Sequence, residues 1–187
     1  LIVDHSVAYV MTFNFTYNTL HSERNFALLV NQPKQVEEIE KVFNADWSGK
    51  KDFTQHNMRL VWSPGNSEKK IIGLITSAKH SVRVYNQEFA SIPVMRVLEQ
   101  KAESGVEVQL IVPWKNYKMY KHNLHAVAAK GVEVKLQRNL YTHAKVILID
   151  AGYPEELTLV GSMNFSYYGL EKNRELGVID ADKRVAQ

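Results

Sequence analysis

His143-Ala144-Lys145-Val146-Ile147-Leu148-Ile149-Asp150, a turn at Gly152-Tyr153-Pro154, and then Leu157-Thr158-Leu159-Val160-Gly161-Ser162-Met163-Asn164 form the stretch that decides the fold. Two apolar, β-branched runs around a Gly/Pro turn read as a hairpin, Ala144–Asp150 against Glu156–Ser162. On a strand, residues two apart face the same way, so His143 and Lys145 project together from one strand edge. Gly161-Ser162-Met163-Asn164 ends the neighbouring strand with a hydroxyl and an amide at its tip, and Glu175 lies on the next strand, Arg174–Asp180. The set combines a nucleophile or proton carrier, a fixed positive charge and neutral donors. It can hold a phosphate and act on it without a metal.

Working outward, Arg59–Ser63, Ser81–Phe89, Val106–Pro113 and Val132–Leu136 read as strands. Helices are expected between them: Glu68–Lys79 with Ser67 as cap, Ile92–Ser104 closed by Gly105, and Lys115–Lys130 closed by Gly131. Alternation of this kind predicts an α/β layered sandwich with a mixed, largely parallel sheet flanked by helices. Residues 1–31 read as strands and a turn. Pro33 then opens a helix to about Asp46, with Val36, Ile39, Val42 and Phe43 at helical spacing. The polar run Ser48-Gly49-Lys50-Lys51-Asp52 reads as a loop.

The chain also repeats itself. Val10–Leu29 lies on Val160–Ile179 without a gap, pairing Val10, Asn14, Phe15, Tyr17, Leu20 and Arg24 with Val160, Asn164, Phe165, Tyr167, Leu170 and Arg174. Thr12 and Thr16 fall on Ser162 and Ser166, and Leu1-Ile2-Val3-Asp4 is similar to Ile147-Leu148-Ile149-Asp150. The matches include Asn, Tyr and Arg, which two chance hairpins would not share. Residues 1–50 are therefore expected to end one unit, 51–58 to be a linker, and 59–187 to form a second unit.

Composition narrows the classes. With 45% hydrophobic and 23% charged residues, the chain is of ordinary globular type. A net charge of +3 suits an anionic substrate or surface but is too weak to diagnose nucleic-acid binding. The absence of cysteine excludes disulfides and thiolate metal sites. His5, His21, His56, His80, His122 and His125 lack a metal-ligand spacing, so no metal is expected. Lys115-Asn116-Tyr117-Lys118-Met119-Tyr120-Lys121 reads either as a solvated helix face or as a surface for nucleic acid or lipid headgroups. Trp62 and Trp114 line a pocket mouth or close the core at the sheet's end. The first residue is Leu1, so a cut upstream is expected, with any signal or anchor in the removed part and the localisation left open.

The pattern H-x-K-x4-D at His143, Lys145 and Asp150, followed by G-S-x-N at Gly161–Asn164, resembles the phospholipase D superfamily. Asn173-Arg174-Glu175-Leu176-Gly177 is similar to that family's continuation. Leu60–Pro113, with Tyr85-Asn86-Gln87-Glu88, resembles the start of the second unit in bacterial two-motif, cardiolipin synthase-like members. The resemblance implies a phospholipase D-like fold, of which this chain is the C-terminal unit of a pseudo-twofold pair. It implies a cofactor-free phosphodiesterase that hydrolyses or transfers phosphatidyl groups of phospholipids through a phosphohistidine.

In two-motif members one histidine attacks phosphorus. The other, here His143, protonates the leaving oxygen and then activates water or an alcohol. Lys145, Ser162 and Asn164 would bind the phosphoryl oxygens, Glu175 would hold His143, and Asp150 would secure the turn. Thr12 and Asn14 would contribute from the first unit, whose Gly is replaced by Met11 and whose Glu is replaced by Asn25. Its His and Lys would lie four and two residues before Leu1. They would come from a missing N-terminal segment or be replaced by a second copy, with a membrane surface as a further partner. The alternatives are an endonuclease cleaving DNA or RNA, and a catalytically incomplete half that binds phosphate.

Overall fold

The computed structural model describes residues 1–50 and 55–186. In chain order its elements are β1 (Ile2–Val3), β2 (Val7–Met11), α1 (Tyr17–His21), β3 (Glu23–Arg24), β4 (Ala27–Val30), α2 (Pro33–Trp47), β5 (Leu60–Ser63), α3 (Ser67–Ser77), β6 (Ser81–Tyr85), α4 (Ile92–Glu103) and β7 (Glu107–Pro113). There follow a 3-10 turn (Trp114–Asn116), α5 (Tyr117–Ala129), β8 (Glu133–Gln137), β9 (Tyr141–Thr142), β10 (Val146–Ile149), β11 (Leu157–Gly161), a π-helical turn (Tyr168–Lys172), β12 (Glu175–Asp180) and α6 (Lys183–Ala186). No helix among them is long and apolar enough to cross a membrane.

Seven strands form one sheet in the order β5-β12-β11-β10-β6-β7-β8. It is mixed and flanked by helices, as expected, but it is not largely parallel. β6, β7 and β8 pair in parallel. The β5-β12, β12-β11, β11-β10 and β10-β6 pairs are antiparallel. The connections explain the balance: helices α4 and α5 return the chain for parallel pairing, whereas the tight turn at 150–156 permits only a hairpin.

Both faces of the sheet are covered, which is why β5 is buried throughout and apolar from Leu60 to Trp62. Val61 faces the main core, with Ile71, Ile75, Leu98, Leu110 and Phe89. Its neighbours Leu60 and Trp62 face the other way, onto Val36, Ile39 and Val42 of α2 and onto Ala8, Val10 and Val30. Those last three belong to a separate three-stranded sheet, β1-β2-β4. Trp62 is therefore core, and its indole N–H donates to Glu38 Oε1 at 3.0 Å. The other Glu38 oxygen accepts the backbone N–H groups of His56 and Asn57 at 3.0 and 2.8 Å. A buried carboxylate thus ties α2 to the segment that leads into β5. The part of the expected loop and linker at 51–54 lies outside the described residues.

Two local expectations change. Ser67 is the first residue of α3 rather than its cap, and its buried hydroxyl donates to the Leu170 carbonyl. The helix expected from Lys115 starts as a 3-10 turn at Trp114. By contrast α4 is capped by Ser91, whose hydroxyl accepts from Val94 N at 3.4 Å.

The repeat is visible in the backbone. Advancing β2 (Val7–Met11) by the repeat offset gives β11 (Leu157–Gly161). The matched aspartates Asp4 and Asp150 both take left-handed backbone, φ 51° and 49°, a conformation Asp tolerates better than most residues. The two repeats meet at a short parallel ribbon, Glu23 opposite Tyr141 and Arg24 opposite Thr142. The His143 N–H continues it, donating to Arg24 O at 3.1 Å.

Candidate active site

His143, Ala144 and Lys145 form the extended link between β9 and β10. Alternation turns Ala144 into a small apolar cluster with Val146 and Val160 and leaves its neighbours on the other side. Lys145 is only 3% exposed. Its Nζ donates to His143 O at 2.6 Å and to Thr12 O at 3.1 Å, and lies 3.1 and 3.3 Å from Nδ1 and Nε2 of His143. The Thr12 bond crosses from one repeat to the other.

Ser162 stands just past β11, and its hydroxyl donates to Glu175 Oε2 while accepting Leu176 N at 3.2 Å. Thr12 repeats the arrangement: its hydroxyl donates to Asn25 Oδ1 and accepts Phe26 N, both at 3.0 Å. Gly161 is needed where it stands, because a Cβ there would meet Gly177 Cα and Met163 Sδ at 2.8 Å. Asn164 presents a buried carbonyl oxygen with no hydrogen-bond partner. The loop carrying it is held from behind, since Asn86 Oδ1 accepts Phe165 N at 3.1 Å. Asn86 is a positioning residue that a sequence motif could expose, as part of Tyr85-Asn86-Gln87-Glu88. Asn14 is exposed, and its carbonyl accepts the Thr19 hydroxyl at 2.6 Å.

One expected role changes. Glu175 does not orient His143: it takes the Ser162 hydroxyl and the Asn173 amide. The acceptor beside His143 Nδ1 is Asn25 Oδ1, at 3.3 Å, from the other repeat, with Lys145 Nζ at 3.1 Å from the same nitrogen. The two hairpins face each other, so the side chain that ends one reaches the histidine that opens the other, a crossing no within-repeat spacing reveals. Asp150 does not join the cluster either. It sits at the far end of β10, roughly 20 Å along the strand from His143. There its carboxylate accepts the backbone N–H groups of Lys79, His80 and Ser81 at 2.7 to 3.1 Å. Its role is to close the turn.

The electrostatics follow from burial. Desolvation pushes Lys145 down to about 8, against the attraction of Glu175, Glu88 and Glu23. Desolvation and then the Lys145 charge lower His143, so the neutral imidazole is favoured. Burial raises Glu175, with its hydrogen bonds to Ser162 and Asn173 acting in the opposite sense. Among the described residues no group of three or more His, Asp and Glu is arranged to hold a metal ion.

A cavity of about 620 Å³ adjoins the cluster, lined by Glu23, Trp114, Lys115, Arg138 and Tyr141 among others. Trp114 therefore lines a pocket and is not core. Arg138 lies 3.5 Å over its ring, and Lys115 lies 5.4 Å over that of Tyr141. The Tyr141 ring is 6.4 Å from that of His143. A larger cavity, about 1150 Å³ between β4, α2 and α6, contains none of the cluster.

Residues 71–187 match the family described as cardiolipin synthase, PLD-like domain. Cardiolipin synthase 1 of Staphylococcus epidermidis is 29% identical over 122 residues, covering 61% of this chain. The match spans only 24% of that relative's length. Among solved structures, the phospholipase D family member Nuc from Salmonella typhimurium superposes with TM-score 0.61 at 24% identity, over 68% of this chain and 85% of Nuc. Phosphatidylserine synthase from Haemophilus influenzae superposes with TM-score 0.64 at 11% identity, over 98% of this chain and 58% of its own. With the paired hydroxyls, the crossed histidine contact and the mixed sheet, these matches place the chain in the phospholipase D-like family.

Proposed function

We propose that the chain carries half of a metal-independent phosphodiesterase centre that hydrolyses or transfers phosphatidyl groups through a phosphohistidine. The observation that supports this most is the buried Lys145, held against the His143 ring and bonded across the repeats to the Thr12 carbonyl. The phosphoryl group would lie against Lys145, Ser162 and Asn164, with Thr12 and Asn14 opposite. Its second histidine would come from a segment preceding residue 1 or from a second copy. That histidine's nitrogen lone pair forms the N–P bond as the P–O bond to the leaving group breaks. The imidazolium form of His143, a stronger acid than usual through burial and Lys145, gives its proton to the departing oxygen and returns to the neutral imidazole. In the second step it takes a proton from water or an alcohol, whose oxygen displaces the phosphohistidine. A phospholipid at a membrane surface is the substrate this reading favours, since one relative is a cardiolipin synthase.

The cavity at Lys115 and Arg138 favours a second reading, a nuclease, because a strand brings further phosphates beside the scissile one. The test is turnover of bis-p-nitrophenyl phosphate in excess EDTA by the chain, by a version extended upstream, and by His143→Ala of each. Turnover that survives EDTA and is lost with His143 supports the phosphodiesterase. Turnover that EDTA abolishes overturns metal independence. Phosphate binding with no turnover in either length favours a catalytically incomplete half. Phosphatidylglycerol vesicles and single-stranded DNA then separate lipid from nucleic-acid substrates.

A further inference from the structure

The two repeats carry the same three residue types in opposite order: Glu23-Arg24-Asn25 in the first and Asn173-Arg174-Glu175 in the second. In both, the asparagine NH2 donates to the glutamate carboxylate two residues away, at 3.1 Å in the first and 3.4 Å in the second. What differs is the end presented to the neighbouring hydroxyl. Ser162 meets a carboxylate, whereas Thr12 meets an amide oxygen. His143 therefore faces the amide, and the negative charge stands behind that amide.

The reversal has a chemical consequence. A carboxylate only accepts hydrogen bonds, so Glu23 turns the NH2 of Asn25 toward itself and the carbonyl oxygen toward Thr12 and His143. That oxygen carries no hydrogen. Its 3.3 Å contact with Nδ1 is a hydrogen bond only when Nδ1 holds the proton. Lys145 commits one N–H to Thr12 O and another to His143 O. Its third N–H lies within reach of both ring nitrogens, Nδ1 at 3.1 Å and Nε2 at 3.3 Å, and with the Nδ1 proton given to Asn25 the nitrogen left to accept it is Nε2.

We propose that Glu23, acting through Asn25, is the positioning pair of His143: it locks the imidazole in the Nδ1–H tautomer and leaves Nε2 as the reacting nitrogen. The inference rests on His143 being the reacting histidine of the proposed function. The charged groups around the ring are Lys145 and Glu23, with Glu175 and Glu88 acting on Lys145 and the Tyr141 ring alongside. Set against a carboxylate, His143 would be drawn toward the imidazolium. Set against an amide, it stays neutral and its direction is still fixed.

The test reads the ring directly. The chain is labelled with 15N-histidine, and long-range 1H–15N correlation spectra are recorded across pH. In the wild type His143 shows a protonated Nδ1 and a bare Nε2. Glu23→Gln supplies a group that both donates and accepts, so the Asn25 amide is no longer locked and the two tautomers mix. Asn25→Asp raises the titration midpoint of His143 by about one pH unit or more, since the charge now touches the ring. The double swap Glu23→Asn with Asn25→Glu does the same while retaining the Nδ1–H tautomer. Unfolding midpoints and unchanged signals of the other histidines show that each variant is folded. An Nε2–H tautomer in the wild type, or one unmoved by Glu23→Gln, overturns the proposal. The expected tautomer in a protein inactive on every phosphodiester leaves the positioning intact and removes the function. Turnover that depends on His143 alongside an Nε2–H tautomer does the opposite.

Discussion

Asp150→Ala takes an acceptor away from three backbone N–H groups at once, those of Lys79, His80 and Ser81. The Ser81 bond is buried, so losing it leaves a desolvated donor at about 1–3 kcal/mol. The other two donors are nearer solvent, where water replaces part of the bond, at about 0.5–1.5 kcal/mol each. Alanine at φ 49° adds about 1 kcal/mol that aspartate largely avoids. The sum, about 3–7 kcal/mol, lowers Tm by roughly 6–28 °C in a chain of this size.

Asp150→Asn keeps one acceptor oxygen and the backbone tolerance, so it falls between the two. Burial of the native carboxyl costs desolvation, but its three N–H bonds outweigh it and hold the group below the usual carboxylate range. Its contribution is therefore present above the unfolded value, about 4, and fades as pH falls through the lower folded one. The gap between wild type and Asp150→Asn narrows correspondingly in acid. Urea unfolding followed by tryptophan fluorescence at pH 7 and pH 3.5 measures both effects. Asp150→Ala within about 1 kcal/mol of the wild type would refute the hydrogen-bond account. Folded Asp150→Asn with turnover as low as His143→Ala would refute the structural role.

Other variants probe the cluster. Lys145 titrates at about 8 when folded and near 10.5 when unfolded, so its contribution to stability is lowest below pH 8 and recovers as pH rises through that window. Lys145→Met should unfold at higher urea at pH 7, by up to about 3 kcal/mol, yet bind inorganic phosphate at least about tenfold more weakly by calorimetry. In the wild type, phosphate affinity falls as pH rises through 8. Gly161→Ala forces its Cβ against Gly177 and Met163, costing about 1–3 kcal/mol in the same urea assay. Lys115→Ala with Arg138→Ala raises KM for a substrate bearing several phosphates and leaves kcat nearly unchanged. It also flattens the salt dependence of KM, by about one log unit per log unit of salt for each substrate phosphate left without its cation.

Most of the fold was legible because it is written locally. The β10–β11 hairpin follows from two apolar runs around Gly152-Tyr153-Pro154, α2 from helical spacing behind Pro33, and α4 from an amphipathic run closed by Gly105. The repeat was legible because Asn, Tyr and Arg recur in register. Strand direction was harder: Val146–Ile149 has the same apolar pattern whichever way its neighbours run, so the antiparallel majority depends on pairing partners distant in sequence. The short helix α1, Tyr17–His21, lacks the length to show a period. In the site, His143, Lys145, Ser162 and Asn164 are close in sequence and were readable together. Asn25 and Glu23 were not, because their link to His143 spans the chain and depends on how two hairpins face each other.

The parallel ribbon between β3 and β9 makes the His143 cluster a gauge of docking. Glu23 belongs to one edge of that ribbon, and the His143 amide extends the other. Any opening that parts the repeats must break the Arg24–His143 bond, and any slip by one residue would turn the edge inside out. Deuterium uptake at the His143 amide is then a clock for that opening. Loss of chemistry and loss of protection should occur as a single cooperative event, ahead of global unfolding.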